Sequence, residues 1–248
     1  CGCDEMFPTI HSCRYPLNGQ PSFALPDHGE VWSLPWRVVE KDANGCTLSV
    51  QGKLLPYRVE RKLEIHPHSA RLTFRYHLQN LSDEPLNWMW AAHPQFHALG
   101  QTIIRLPEHV NEVINVRSGE LFGLEGTRLN WPVAFTQRGE TYRLDIVRPV
   151  EARQGRKVYI APDVQVSSAR LEDLNSGTWL EMRWQTCQLP YLGIWVDEGL
   201  YAARPVVALE PTNGYFDSLE FAYDLGRASS LPGGASANWD LEVELGTS

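Results

Sequence analysis

Three short segments of this 248-residue chain carry polar groups where a packed β-protein would not put them. In residues 25–36 (LPDHGEVWSLPW), His28 is followed by Gly29 in a loop bounded by prolines and by Trp32 and Trp36. In residues 90–97 (WAAHPQFH), His93 ends an aromatic-rich run, and in residues 206–212 (VVALEPT), Glu210 follows four apolar residues. A carboxylate in such a run is costly to bury unless partnered, which is why such positions often belong to sites. Imidazole changes charge near neutrality while a carboxylate is already ionised there, so the two types together suit paired proton removal and delivery. Each residue has a plainer reading: a loop histidine is often just hydrogen-bonded at the surface, and a Glu before Pro can simply be surfacing. The three in combination point to acid–base chemistry.

The elements that must position these groups read as strands. From Arg71 to Gln79, the residues Leu72, Phe74, Tyr76 and Leu78 alternate with polar neighbours, the period-two pattern of a strand with one apolar face. Residues 57–65 (YRVERKLEI) pair naturally with that strand through the corner His66-Pro67-His68-Ser69, and residues 86–90 resume as an extended run after turn chemistry at 80–85. Further strands are expected around Tyr142, Leu144 and Ile146, over 178–184, and along Trp239, Leu241, Val243 and Leu245. No window of helical length carries an amphipathic stripe. The 19 Gly and 17 Pro punctuate the strands without forming a linker, so residues 1–248 are expected to be one all-β domain, a large antiparallel sandwich with little helix. Nine Trp and nine Tyr exceed what core filling needs. Aromatic faces bury the C–H patches of a pyranose while its hydroxyls stay hydrogen-bonded, so a small-molecule sugar is the expected partner.

Formal net charge is −8, which disfavours nucleic acid and anionic membrane surfaces as partners. No apolar stretch is long enough to span a bilayer and no basic segment precedes an apolar run, so neither a membrane anchor nor a signal peptide is expected. Five cysteines, an odd and low number, fit a reducing compartment and a cytoplasmic location. Cys1-Gly2-Cys3 with Cys13 lacks a matching second pair, so no metal is expected there. The chain opens on Cys1 inside what reads as a loop, and natural residues are expected to precede it.

The three segments, in this order, resemble the aldose 1-epimerase (galactose mutarotase-like) superfamily, in particular its bacterial branches near the hexose-6-phosphate mutarotases. His28-Gly29 with Trp36 is similar to the family's His-Gly loop, His93-Pro94-Gln95-Phe96 to its later His strand, and Leu209-Glu210-Pro211 to its C-terminal Glu-Pro. Residues 190–195 (PYLGIW) and 231–234 (LPGG) are further similar stretches. The resemblance implies a mutarotase-like supersandwich and an isomerase interconverting the α and β anomers of an aldose. In that scheme Glu210 takes the proton of the C1 hydroxyl, protonated His93 delivers one to the ring oxygen, and His28 stabilises charge as the ring opens, with no cofactor and no metal required. Asp4 or Glu5 is expected at the pocket rim, and Trp36 on the sugar. Gly155 and Arg156 stand where many relatives carry an Asp, and the sequence shows no clustered Lys/Arg for a phosphate, which favours a neutral sugar. Two other readings stand beside the enzyme: a carbohydrate-binding protein without turnover, and one domain of a larger glycoside hydrolase or lyase. The sugar, the anomer and the oligomeric state are open at this point.

Overall fold

The computed structural model describes residues 2–16, 22–98 and 101–248. Cys1 lies outside the described residues, while Cys3, Cys13, Cys46 and Cys187 are free thiols. Two antiparallel sheets hold most of the strand residues. A seven-stranded sheet, here the site sheet, runs edge to edge through Cys3–Met6, Ala91–His97, Val206–Thr212, Tyr191–Glu198, Gln154–Ile160, Glu112–Arg117 and Arg128–Asn130. An eight-stranded back sheet runs Thr102–Arg105, Ser168–Asp173, Thr178–Trp184, Ser236–Thr247, Arg71–Asn80, Tyr57–Ile65, Gly45–Gln51 and Arg37–Lys41. The expected hairpin is present, with Tyr57 opposite Asn80 and Ile65 opposite Leu72. The stretch around Tyr142 is shorter than its alternation suggests, a three-residue strand, Thr141–Arg143, paired only with Val133–Phe135.

The two sheets differ in their alternation because they differ in what covers them. On the back sheet Phe74, Tyr76 and Leu78 are buried while Arg75 is exposed, a face toward the core and a face toward water. In the site sheet, Val206–Thr212 is buried at every position. Val207 and Leu209 contribute to the apolar cluster shared by the sheets, whereas Ala208, Glu210 and Thr212 point to the opposite side, which loops cover. Glu210 therefore follows an apolar run without entering the core that the run builds. Trp88, Trp90 and Tyr76 pack their rings 5.2–5.3 Å from that of Trp239 in that core, each burial being worth roughly 1.5–3 kcal/mol by area. Most of the aromatic excess is thus core filling.

Two ion pairs with buried carboxylates help fix the sandwich. Arg156 is 2% exposed and reaches Glu198 Oε1 at 2.6 Å, while donating also to the Tyr142 hydroxyl and the Leu144 and Ile146 carbonyls. Glu5 accepts from Arg61 Nη1 at 2.6 Å and from the Tyr76 hydroxyl at 2.8 Å, bridging site sheet to back sheet. The helical content is one six-residue helix, Leu219–Asp224, capped by Ser218 accepting from Phe221 N–H, and one 3-10 turn, Val150–Ala152, among the described residues. No helix among them is long and apolar enough to cross a membrane.

Candidate active site

The covered face of the site sheet carries the candidate residues, and strand register decides which of them share it. Ala208 lies opposite Gln95 and Thr212 opposite Ala91, so the same antiparallel register sets Glu210 across from His93. Gly193 pairs with Glu210 on the next strand, and Tyr159 and Lys157 pair with Gly193 and Trp195 on the one after. Directly paired residues project to the same side, so His93, Glu210, Tyr159 and Lys157 converge. Gly193 leaves them room, because a Cβ would sit 3.2 Å from the Tyr159 ring and 3.3 Å from Glu210 Oε2, close enough that either side chain would have to shift.

The resulting cluster is closely connected, with Glu210 fully buried at its centre and Asp217 half-buried at its edge. His93 Nδ1 is 2.8 Å from Glu210 Oε1, and Lys157 Nζ is 2.6 Å from Glu210 Oε2. Lys157 also lies 2.8 Å from Asp217 Oδ1, which accepts from the Tyr159 hydroxyl at 2.9 Å. Burial by itself would raise the Glu210 pKa, but the Lys157 ammonium and His93 overcome it and hold the carboxyl at about 2. For Lys157 the order is the same: burial favours the neutral amine, and Asp217 and Glu210 push its pKa up instead, so it is a fixed cation. With Nδ1 committed to Glu210, the other ring nitrogen of His93 is directed at Gln95, 3.2 Å away.

Above this cluster opens a cavity of about 440 Å³, lined by His28, His93, Lys157, Glu210 and Asp217 together with Gln95, Arg117, Trp195 and Tyr201 on its sides. That volume falls in the range of small-molecule sites, roughly 300–1,000 Å³. Trp195 and Tyr201 stand with ring centroids 6.1 Å apart and supply the apolar wall. Tyr201 is held by Arg117, which donates to its hydroxyl at 2.8 Å, and by Asp197, whose carboxylate accepts from the backbone N–H groups of Gly199, Leu200, Tyr201 and Ala202.

His28 comes from the N-terminal loop. Its ring centroid is 5.2 Å from that of His93, and burial, then the neighbouring His93, lower its pKa, so it is neutral at pH 7. The loop is built to hold it: His28 N–H donates to Ile10 O at 2.7 Å and Glu30 N–H to Phe7 O at 2.8 Å. Glu30 is buried and accepts from the Tyr57 hydroxyl and from Lys53 and Leu54 N–H. His28 has φ 62° and Gly29 φ 66°, left-handed geometry that costs a histidine on the order of 1–3 kcal/mol. A Cβ on Gly29 would stand 2.0 Å from Phe7 O, an immovable backbone atom. Gly29→Ala is therefore expected to lower stability by on the order of 1–3 kcal/mol and to move the His28 ring. Thermal unfolding and the His28 imidazole NMR signals check it; a variant with both unchanged would show that the His-Gly turn has no positioning role.

Of the residues expected at the site, His28, His93 and Glu210 are brought together. Asp4 lies opposite His93 in the register but does not line the cavity. Glu5 is corrected: it is 3% exposed and bound to Arg61 between the sheets, since neighbours on a strand face opposite ways. Trp36 is corrected too, as its indole N–H donates to Val31 O and its ring lies under Arg61, 4.8 Å from the guanidinium. The residues that sequence reading missed are Lys157, Asp217, Gln95, Arg117, Trp195 and Tyr201. No group of three or more His, Cys, Asp or Glu arranged to hold a metal ion exists among the described residues.

An all-β sandwich of two large antiparallel sheets, with a cluster of titratable side chains on the covered face of one, defines the fold class. The fold is that of the aldose 1-epimerase and galactose mutarotase-like proteins. It superposes over its whole length on the Slr1438 protein of Synechocystis sp. PCC 6803 (TM-score 0.74, 16% identity, 78% of that chain). A provisionally assigned aldose 1-epimerase of Escherichia coli K12 gives a TM-score of 0.73 at 18% identity, covering all of this chain and 84% of that one. A galactose mutarotase related enzyme of Lactobacillus acidophilus gives 0.70 at 13% identity, covering 99% of this chain and 83% of that one. No protein-family model matches the chain, and no curated protein does.

Proposed function

We propose that the protein interconverts the α and β anomers of an aldose by acid–base opening of the pyranose ring. The observation that carries this is the 2.8 Å contact of His93 Nδ1 with Glu210 Oε1 at the base of the cavity of about 440 Å³. Opening the ring requires a proton to leave the C1 hydroxyl while another reaches the ring oxygen, and each positioned group contributes about 10²–10⁴-fold. Glu210, held ionised, accepts the C1 proton through a lone pair not used by His93 or Lys157, since each carboxylate oxygen offers two. His93 delivers the other proton from the ring nitrogen not bonded to Glu210. Neutral His28 hydrogen-bonds the developing charge. After rotation about C1–C2 the roles reverse and the ring closes on its other face. Trp195 and Tyr201 stack on the sugar's C–H face. Several proteins that share the fold are described as aldose 1-epimerases or mutarotase-like, which supports the reading.

One observation favours the alternative, sugar binding without turnover. A carboxyl with a pKa of about 2 is a weak base, far from the working pH that acid–base catalysis favours. The two readings separate in exchange-spectroscopy NMR across a panel of aldoses. The isomerase reading expects accelerated α/β exchange for at least one sugar; saturable binding with exchange at the buffer rate would establish the binding protein instead.

A further inference from the structure

A second cavity, of about 580 Å³, lies beyond the turn that carries Tyr201; Leu200 lines it, and Tyr201 and Ala202 line the first. The two are parted by a thin wall, since a Cβ on Gly155 would meet both Leu200 and Trp195 at 3.0 Å. Three arginines, Arg138, Arg148 and Arg153, line this second cavity. Among the described residues none of the three is in an ion pair, although most of the chain's ion pairs engage arginine. Two of the three are set in place: the Arg148 guanidinium lies 3.9 Å over the Tyr142 ring, and Arg153 Nη1 donates to Gly199 O at 3.2 Å. Glu120 and Glu140 also line the cavity, which leaves positive charge in excess by one.

Two buried polar atoms at the same cavity lack partners. Ser118 is 5% exposed and its hydroxyl makes no hydrogen bond, and neither does the buried amide oxygen of Gln154. A buried polar group left unpaired is destabilising. Guanidinium forks match phosphate and carboxylate oxygens, a free hydroxyl donates to the same oxygens, and an amide oxygen accepts from a hydroxyl. We propose that this cavity is a second binding site, for a hydroxylated small molecule bearing an oxyanion, the chemistry of a sugar acid or a sugar phosphate. Arg138, Arg148 and Ser118 bind the anionic group, and Gln154 accepts from a hydroxyl on the same molecule. The site does not depend on the acid–base cluster.

The test is calorimetric titration with four probes, inorganic phosphate, glucuronate, glucose 6-phosphate and glucose, followed by amide NMR shifts at Ser118 and Gln154. The expected result is saturable binding of glucuronate or glucose 6-phosphate, tighter than inorganic phosphate, weakened by salt, with shifts at those two residues. Arg138→Gln/Arg148→Gln is expected to weaken it by about tenfold or more, Ser118→Ala by less, and Glu210→Gln not at all. The single change Arg138→Gln, at an exposed position, serves if the double variant does not fold. Binding of inorganic phosphate alone would overturn the assigned ligand class. No saturable binding, or binding undiminished in the arginine variants, would overturn the site. Because Glu210→Gln separates the two cavities, these outcomes leave the isomerase reading untouched.

Discussion

Replacing Glu210 by Gln is expected to slow anomer exchange by about 10²–10⁴-fold on any sugar the wild type accelerates. Gln has the shape of Glu and removes only the charge and the proton-accepting capacity. Lys157 keeps a partner in Asp217, 2.8 Å away, so the variant retains the arrangement of the site sheet. His93 loses the acceptor that fixes its Nδ1, and the C1 hydroxyl loses its base. Sugar affinity changes far less than rate, because the walls of the cavity, Trp195 and Tyr201, are untouched. Exchange NMR and calorimetry on the same sugar measure the two separately. A variant as fast as the wild type would remove Glu210 from the reaction.

Lys157→Met carries the largest expected effect on stability. It leaves the buried Glu210 and the half-buried Asp217 without their shared cation, and breaking a buried pair from one side costs on the order of 3–5 kcal/mol. The loss has a definite pH signature. Glu210 is depressed from 4.5 to about 2 in the folded protein, so its contribution to stability is present above pH 4.5 and disappears as pH falls from there to about 2. Lys157 is raised on folding, so its contribution is whole below its ordinary value of 10.5 and is lost only at more alkaline pH. The gap between wild type and Lys157→Met should therefore be widest near neutrality and narrow in acid. Denaturant unfolding of both proteins at pH 7 and near pH 3 measures it. Equal gaps at the two values would mean that Lys157 does not set the ionisation of Glu210.

Much of this was legible in the residues, for physical reasons that also mark where legibility ends. The back sheet announces itself because one face meets water, so Leu72–Leu78 alternate visibly. The site sheet does not, because the core buries one face of Val206–Thr212 and loops cover the other, and only Glu210 betrays that the covered face is polar. His28 was visible through its glycine, which the left-handed turn requires. Glu5 was misplaced because sequence gives no parity at a strand's edge: Met6 faces the cavity, and Glu5, one residue earlier, faces Arg61; Trp36 precedes a strand of the back sheet and packs against the same arginine. Lys157 had a signal that went unused. Arg156 and Lys157 are adjacent cations opening an apolar strand, so they must point to opposite faces, and where both faces are covered each needs a buried carboxylate. Arg156 finds Glu198, and Lys157 finds Glu210 and Asp217. Asp217 and the arginines of the second cavity come together only through long-range topology, which no local pattern encodes.

The most direct measurement is a crystal structure of the protein with an aldose bound. The predicted result places the C1 hydroxyl within hydrogen-bonding reach of Glu210 and the ring oxygen within reach of the ring nitrogen of His93 that is not bonded to Glu210, about 2.6–3.2 Å in each case, with Trp195 or Tyr201 against the C–H face. A sugar bound with C1 turned away from both groups, or bound outside this cavity, would contradict it.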